Sequence, residues 1–201
     1  PIRMANIKRI IAVLSSKGGV GKTIIATLTA LIMGEKGYRV GLLDLDFTNP
    51  STHVVLGINP LKYVPEEEKG IIPPLIHNIR YLSIAMYVGD KPLPLRGEAV
   101  DNVFRELLAI TRWGELDYLF IDTPPGIGDE HLNLLTYLGD RVETLLVSIP
   151  SPLAIKSVAK LYQLLRDGGY RVLGLIENMA RDEELRRFCI ENGIEYLGKI
   201  P

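Results

Sequence analysis

An apolar run, Ile10 to Leu14, leads through Ser15 into Ser16-Lys17-Gly18-Gly19-Val20-Gly21-Lys22-Thr23, and this octapeptide restricts the chain more than any other stretch. Glycines at 18, 19 and 21 let successive backbone N–H groups turn inward around an anion, which side chains at those places would obstruct. Lys22 then adds a point charge for the β- and γ-phosphates of a nucleotide, and the Thr23 hydroxyl stands where Mg²⁺ would bind. A helix that starts at the loop turns the positive end of its dipole towards the same anion. The plain alternative is a glycine-rich turn holding an incidental Gly-Lys-Thr. Against it, the context a phosphate loop demands, strand before and helix after, is predicted on both sides. Where the usual pattern has its leading glycine stands Ser16, followed by a second lysine, Lys17.

Apolar runs of four to eight residues recur along the chain, each followed by a helical pattern, which is the signature of βαβ units in a mostly parallel sheet with helices on both faces. Strands are predicted near Ile10 to Leu14, Val40 to Asp44, Tyr81 to Ala85, Tyr118 to Asp122, Thr144 to Ile149, Val172 to Ile176 and Glu195 to Leu197. Helices are predicted near Gly21 to Lys36, Glu98 to Thr111, Asp129 to Leu138, Pro152 to Arg166 and Arg181 to Asn192. The helix after Ser151 carries the plainest signals: a serine cap, Pro152 at its first position and Gly168-Gly169 at its end. Its residues Ile155, Val158, Ala159, Tyr162 and Leu165 share one face, as docking on a sheet requires. Two stretches break the rhythm: Gly57 to Asn78, with four prolines and the acidic run Glu66 to Glu68, reads as a surface excursion, and Val88 to Gly97 as an irregular segment.

The chain's 201 residues fit a single domain with a core large enough to need neither disulfides nor a structural metal. Its last residues read as a strand running into a turn with no closing helix, so the domain is expected to continue beyond Pro201. Lys plus Arg number 23 against 24 for Asp plus Glu, and a net charge of −1 argues against a broad nucleic-acid or anionic-membrane surface. A single cysteine, Cys189, excludes an intrachain disulfide and suits a reducing cytoplasm. No apolar stretch approaches the ~20 residues of a membrane span and no signal-peptide layout opens the sequence, so a soluble cytoplasmic protein is expected.

In a doubly wound sheet ligands bind at the carboxyl ends of the strands, which directs attention to acidic residues there. Asp122 ends one predicted strand and precedes Thr123-Pro124-Pro125-Gly126, suiting it to Mg²⁺ or a water of Mg²⁺ beside a γ-phosphate sensor. Asp44 and Asp46 end another, two residues apart and so directed alike in extended chain. One of the pair would bind a magnesium water while the other orients the attacking water; we assign Asp44 to the metal and Asp46 to the water. An aspartate at a strand end also caps helices and forms turns, and it is the upstream phosphate loop that favours the chemical reading. His53, His77 and His131 have no metal-ligand spacing and read as surface or loop histidines.

With these residues in hand, the chain resembles the Mrp-type ATPases, the MinD/ParA-like branch of P-loop proteins that includes iron–sulfur cluster carriers. The matching pieces are the loop with its extra lysine, Leu42-Leu43-Asp44-Leu45-Asp46 with Asn49-Pro50-Ser51, Trp113 to Tyr118, Ile121 to Leu132, and Leu173 to Met179. The resemblance implies ATP or ADP with Mg²⁺, slow hydrolysis, and a homodimer with the nucleotide at its interface, where Lys17 acts on the partner's nucleotide. It further implies that Gly18, Gly19, Val20, Gly21, Lys22 and Thr23 bind phosphate, that Asp46 lies in a first switch segment, and that Asp122 and Gly126 lie in a second. Asn178 would bond adenine, whose N6/N7 edge an amide can match. Carriers in this family hold a cluster through a Cys-x-x-Cys shortly after the Asn-Met pair; Ala180 to Arg187 contains no cysteine, and Cys189 shares an apolar helical face with Leu185 and Phe188. A cluster bound by this chain alone is therefore not expected. The function implied is a nucleotide-controlled dimeric switch, with iron–sulfur assembly as the role the family suggests; the alternative on the same fold is a MinD/ParA-like spatial organiser or regulatory ATPase with a protein partner and no cluster.

Overall fold

The computed structural model describes residues 4–89, 91, 97–126 and 128–201, with residues 129–131 described by their backbone alone. The first half comprises β1 (Ile7–Leu14), α1 (Lys22–Glu35), β2 (Val40–Asp44), α2 (Thr52–Val55), β3 (Glu66–Glu67), β4 (Ile71–Ile72), β5 (Leu75–Ile76), β6 (Ile79–Ser83) and α3 (Ala85–Val88). The second comprises α4 (Glu98–Ile110), β7 (Leu116–Asp122), α5 (Asp129–Leu138), β8 (Val142–Ser148), α6 (Pro152–Asp167), β9 (Arg171–Glu177), α7 (Glu184–Asn192) and β10 (Tyr196–Lys199).

Eight strands form one sheet in the order β10-β9-β8-β1-β7-β2-β6-β5, parallel throughout except that β5 runs antiparallel to β6. Every residue of β2 and β8 is buried, which is why their apolar residues run consecutively, Leu42-Leu43 and Leu145-Leu146-Val147, rather than alternating. From β1 the chain crosses through α1 towards β2, whereas the crossovers through α4, α5, α6 and α7 run the other way along the sheet. Right-handed connections therefore put α1 on one face and those four helices on the other. The parallel register aligns the ends of three central strands, pairing Val13 with Asp122 and Asp122 with Asp44. The phosphate loop and two of the expected carboxylates thus converge at the carboxyl end of the central strands.

Element boundaries depart from expectation where pairing, not local pattern, decides. β1 starts at Ile7, because Ile7 pairs with Leu116 and the charged Arg9 finds Glu143 of β8 at 2.6 Å. The strand expected at Tyr81 to Ala85 is Ile79–Ser83, and Ala85 instead opens α3. The excursion at 57–78 holds the small β3-β4 hairpin and the edge strand β5, pairs too short to leave a pattern. Helix α7 begins at Glu184, three residues after the expected start. In α6, Ser151 Oγ accepts the Ala154 N–H at 3.2 Å as a cap should, and the buried face runs Ala154, Val158, Leu161, Leu165, with Ile155 and Tyr162 half-buried at its margin. The irregular stretch expected at 88–97 falls mostly outside the described residues.

Candidate functional site

The loop from Ser15 to Gly21 joins the end of β1 to the first turn of α1, so its backbone amides and the helix dipole face the same space. Gly19 and Gly21 have φ of +77° and +83°, left-handed values that a side chain resists. At Gly21 the constraint is doubled, because a Cβ there would lie 2.2 Å from Asn178 Nδ2. The loop forms one wall of a cavity of about 390 Å³ whose opposite wall is the segment after β2, with Asp46, Asn49 and Ser51, and the last two residues of α2, Val54 and Val55.

Beneath the loop, Lys22 Nζ forms an ion pair with Asp122 Oδ1, and Thr23 Oγ1 donates to Asp122 Oδ2 at 2.7 Å. Lys22 and Asp122 are both buried, so this is a desolvated charge pair whose partners neutralise each other. Burial pushes the Asp122 carboxyl up, against the opposing pull of the Lys22 ammonium. Asp44 is buried too, and its carboxyl is pushed up to about 7, first by burial and then by the neighbouring Asp122. Its oxygens are committed: Oδ1 accepts the Asp46 N–H at 3.0 Å, and Oδ2 accepts the Thr52 hydroxyl at 2.6 Å. Asp46 lines the cavity, its Oδ1 accepting from Thr48 Oγ1 at 2.8 Å and from the Asn49 N–H at 3.0 Å.

The structure brings Lys17, Gly18, Gly19, Val20, Gly21, Lys22, Thr23 and Asp46 to the cavity wall. Asp122 lies behind that wall, reached through Lys22 and Thr23. Asp44 lies deeper and fastens protein groups. The Gly126 N–H donates to Ser15 O at 3.0 Å, tying the segment after β7 to the loop. Asn178 does not line the cavity; its Nδ2 donates to Val20 O at 2.8 Å and braces the loop from the side of β9. His53 is a correction: it is buried on α2, not at the surface, because the short helix turns it inward. His77 is exposed, while the side chain of His131 lies outside what is described. Cys189 is wholly buried, and its thiol is pushed up to about 11 by burial and by Glu177. Ser51, Val54, Val55 and Pro125 line the cavity without having been singled out as site residues; Ser51 had a signal in the Asn49-Pro50-Ser51 run, the two valines none.

A hydroxyl and a carboxylate 2.7 Å apart beside an amide-lined loop are hard oxygen donors of the kind Mg²⁺ takes together with phosphate oxygens, so Thr23 and Asp122 fit that ion. Among the described residues no cluster of three or more His, Cys, Asp or Glu side chains is placed for a metal ion. No described helix is long and apolar enough to cross a membrane.

This sheet, with a glycine-rich loop at the carboxyl end of its central strand and a lysine at the following helix, defines a P-loop NTPase fold of the MinD/ParA type. The family model described as ParA, the NUBPL iron-transfer P-loop NTPases, matches residues 6–201, and the chain belongs to that family. It is 41% identical over 202 residues to an iron-sulfur cluster carrier protein of Rickettsia typhi, covering 98% of this chain and 62% of that protein. It is 35% identical to a cytosolic Fe-S cluster assembly factor, CFD1, of Kluyveromyces lactis, covering 100% of this chain and 79% of the other. The chain thus spans less than two thirds of the Rickettsia relative. Among solved structures, a nucleotide-binding protein in complex with ADP from Archaeoglobus fulgidus has a TM-score of 0.85 at 30% identity, covering 100% of this chain and 84% of that one. The septum site-determining protein MinD complexed with Mg-ADP from Pyrococcus horikoshii has a TM-score of 0.70 at 24% identity over 96% of this chain and 81% of that one, a likeness of fold.

Proposed function

We propose that this chain is the nucleotide-binding core of a slow, Mg-dependent ATPase that works as a nucleotide-controlled homodimeric switch in iron–sulfur cluster assembly. The observation that carries the reading is the meeting of Lys22, Thr23 and Asp122 beneath the loop, with Asp46 across the cavity. The loop amides and Lys22 would hold the β- and γ-phosphates; Thr23 and Asp122 would hold magnesium, which when bound would neutralise charge on those phosphate oxygens. Asp46 orients the attacking water towards the γ-phosphate. Lys17 of each subunit reaches the nucleotide of the other and adds a second cation. Catalysis comes from positioning and charge, with no covalent bond to the protein.

The assembly role is supported by what the relatives are named, an iron-sulfur cluster carrier and an Fe-S cluster assembly factor. The buried, protonated Cys189 is not offered to a cluster, so cargo ligands come from a partner protein or from residues beyond Pro201, and the residues described contribute the nucleotide-driven step. One set of assays tests both parts. Lys22→Ala is expected to abolish nucleotide binding or hydrolysis, and Asp46→Ala to lower hydrolysis more than binding; normal turnover in either overturns the ATPase assignment. Iron and sulfide measured after anaerobic reconstitution, with and without ATP, are expected to be equally low in wild type and Cys189→Ala. A stable cluster lost in the variant would make Cys189 a ligand and overturn that division of labour.

A further inference from the structure

The segment 45–51 walls the cavity opposite the phosphate loop but has no strand or helix of its own. Within it Asp46 Oδ1 accepts from Thr48 Oγ1 and the Asn49 N–H, while its ends are tied to the rest of the fold from outside. One buried carboxylate closes the segment at both ends. Asp44 Oδ1 accepts the Asp46 N–H at 3.0 Å, while Oδ2 accepts Thr52 Oγ1 at 2.6 Å and the Thr52 N–H at 3.3 Å. Thr52 is itself wholly buried, and its hydroxyl oxygen lies 2.8 Å from the hydroxyl of Tyr81 on β6. A hydroxyl carries one proton; with Asp44 ionised, that of Thr52 goes to the carboxylate and Tyr81 is the donor in the second contact. A row of hydrogen bonds therefore runs from β6 through α2 to the end of β2, and from there to the backbone of Asp46. Each link is shielded from water, where such bonds hold direction most strongly.

We propose that Thr52 and Tyr81 are positioning residues for ATP hydrolysis, holding the Asp44 carboxylate so that it fastens the 45–51 segment and keeps Asp46 aimed at the γ-phosphate. The inference rests on the ATPase reading above and gives Asp44 the task of a fastener in place of a magnesium ligand. Neither Thr52 nor Tyr81 touches the cavity, so their effect is on the chemical step rather than on nucleotide binding, which the phosphate loop performs from the other wall.

The experiment compares steady-state ATP hydrolysis and equilibrium ADP binding for the whole chain carrying Thr52→Val, Thr52→Ser or Tyr81→Phe. Thr52→Val is expected to lower kcat about tenfold with the ADP Kd changed less than about twofold, the split that marks loss of an interaction used in the transition state. Thr52→Ser keeps the hydroxyl and is expected to restore kcat to within about twofold of wild type, and Tyr81→Phe to lower it about threefold at unchanged Kd. A structural role alone would lower the Tm of the Val and Phe variants and leave kcat intact well below it; that result overturns the proposal. Should Thr52→Val fail to fold, an unaltered kcat in Tyr81→Phe overturns it by itself. Wild-type protein without any turnover would overturn the ATPase reading and this inference together, whereas wild-type turnover with unaffected variants overturns this inference alone.

Discussion

Asp44 and Asp122 end adjacent strands side by side, yet only Asp122 has a cation beside it. Asp44 is left to burial and to its neighbour's charge, and its carboxyl rises to about 7. An unfolded aspartate titrates near 3.9, so between about pH 4 and 7 the native state keeps a proton that the unfolded chain has released. The stability this group contributes is fully present below the unfolded value and is lost as pH rises through 7. Asp44→Asn cannot titrate. Urea midpoints of wild type and Asp44→Asn should therefore converge or favour wild type at pH 5, and shift in favour of the variant by pH 8; a difference independent of pH would show that Asp44 has an ordinary pKa.

At the scale of elements, the phosphate loop is shaped as much by what leans on it as by its own glycines. Gly37, at the end of α1, has φ of +88° and open space where a Cβ would go, whereas Gly21, at φ +83°, faces Asn178. Alanine in a left-handed conformation costs of order 1–3 kcal/mol. Gly37→Ala should show that backbone cost alone, and Gly21→Ala that cost plus displacement of Asn178. Removing the amide with Asn178→Ala in the Gly21→Ala background should recover part of the excess; chemical denaturation of the three variants makes the comparison. Equal losses at the two glycines would mean that Asn178 yields freely and braces nothing.

The whole molecule offers a probe of its own state in its one tryptophan. Trp113 is wholly buried where the chain enters β7, packed against Gly41 of β2, so its fluorescence reports the central sheet. A ligand that binds only the folded chain stabilises it by RT ln(1 + [L]/Kd), about 2.7 kcal/mol at a hundredfold excess over Kd. For a domain near this size that raises the midpoint by roughly 5–10 °C. Mg-ATP should produce such a shift in wild type and none in Lys22→Ala, followed by Trp113 emission during heating. An equal shift in both would remove Lys22 from the nucleotide site.

How much of this was legible in the chain itself follows the range of the interactions. The order of the longer strands and helices, the serine cap of α6 and the left-handed turns at Gly19 and Gly21 rest on neighbours a few residues apart, and the residue pattern alone indicated them. The acidic residues at strand ends were legible for the same reason, since a strand's end is where its apolar run stops. What tertiary structure decided is which of those groups meet. Asp122 finds Lys22 and Thr23 only because β7 lies beside β1; Asp44 becomes a fastener only because β6 lies beside β2 and brings Tyr81 to Thr52. Asn178 meets Val20 of the loop for the same cause, and the burial of His53 on α2 was likewise not legible in its spacing. Spacing along the chain sets backbone conformation, but a hydrogen bond between residues tens of positions apart depends on strand order, and that is settled only when the sheet assembles.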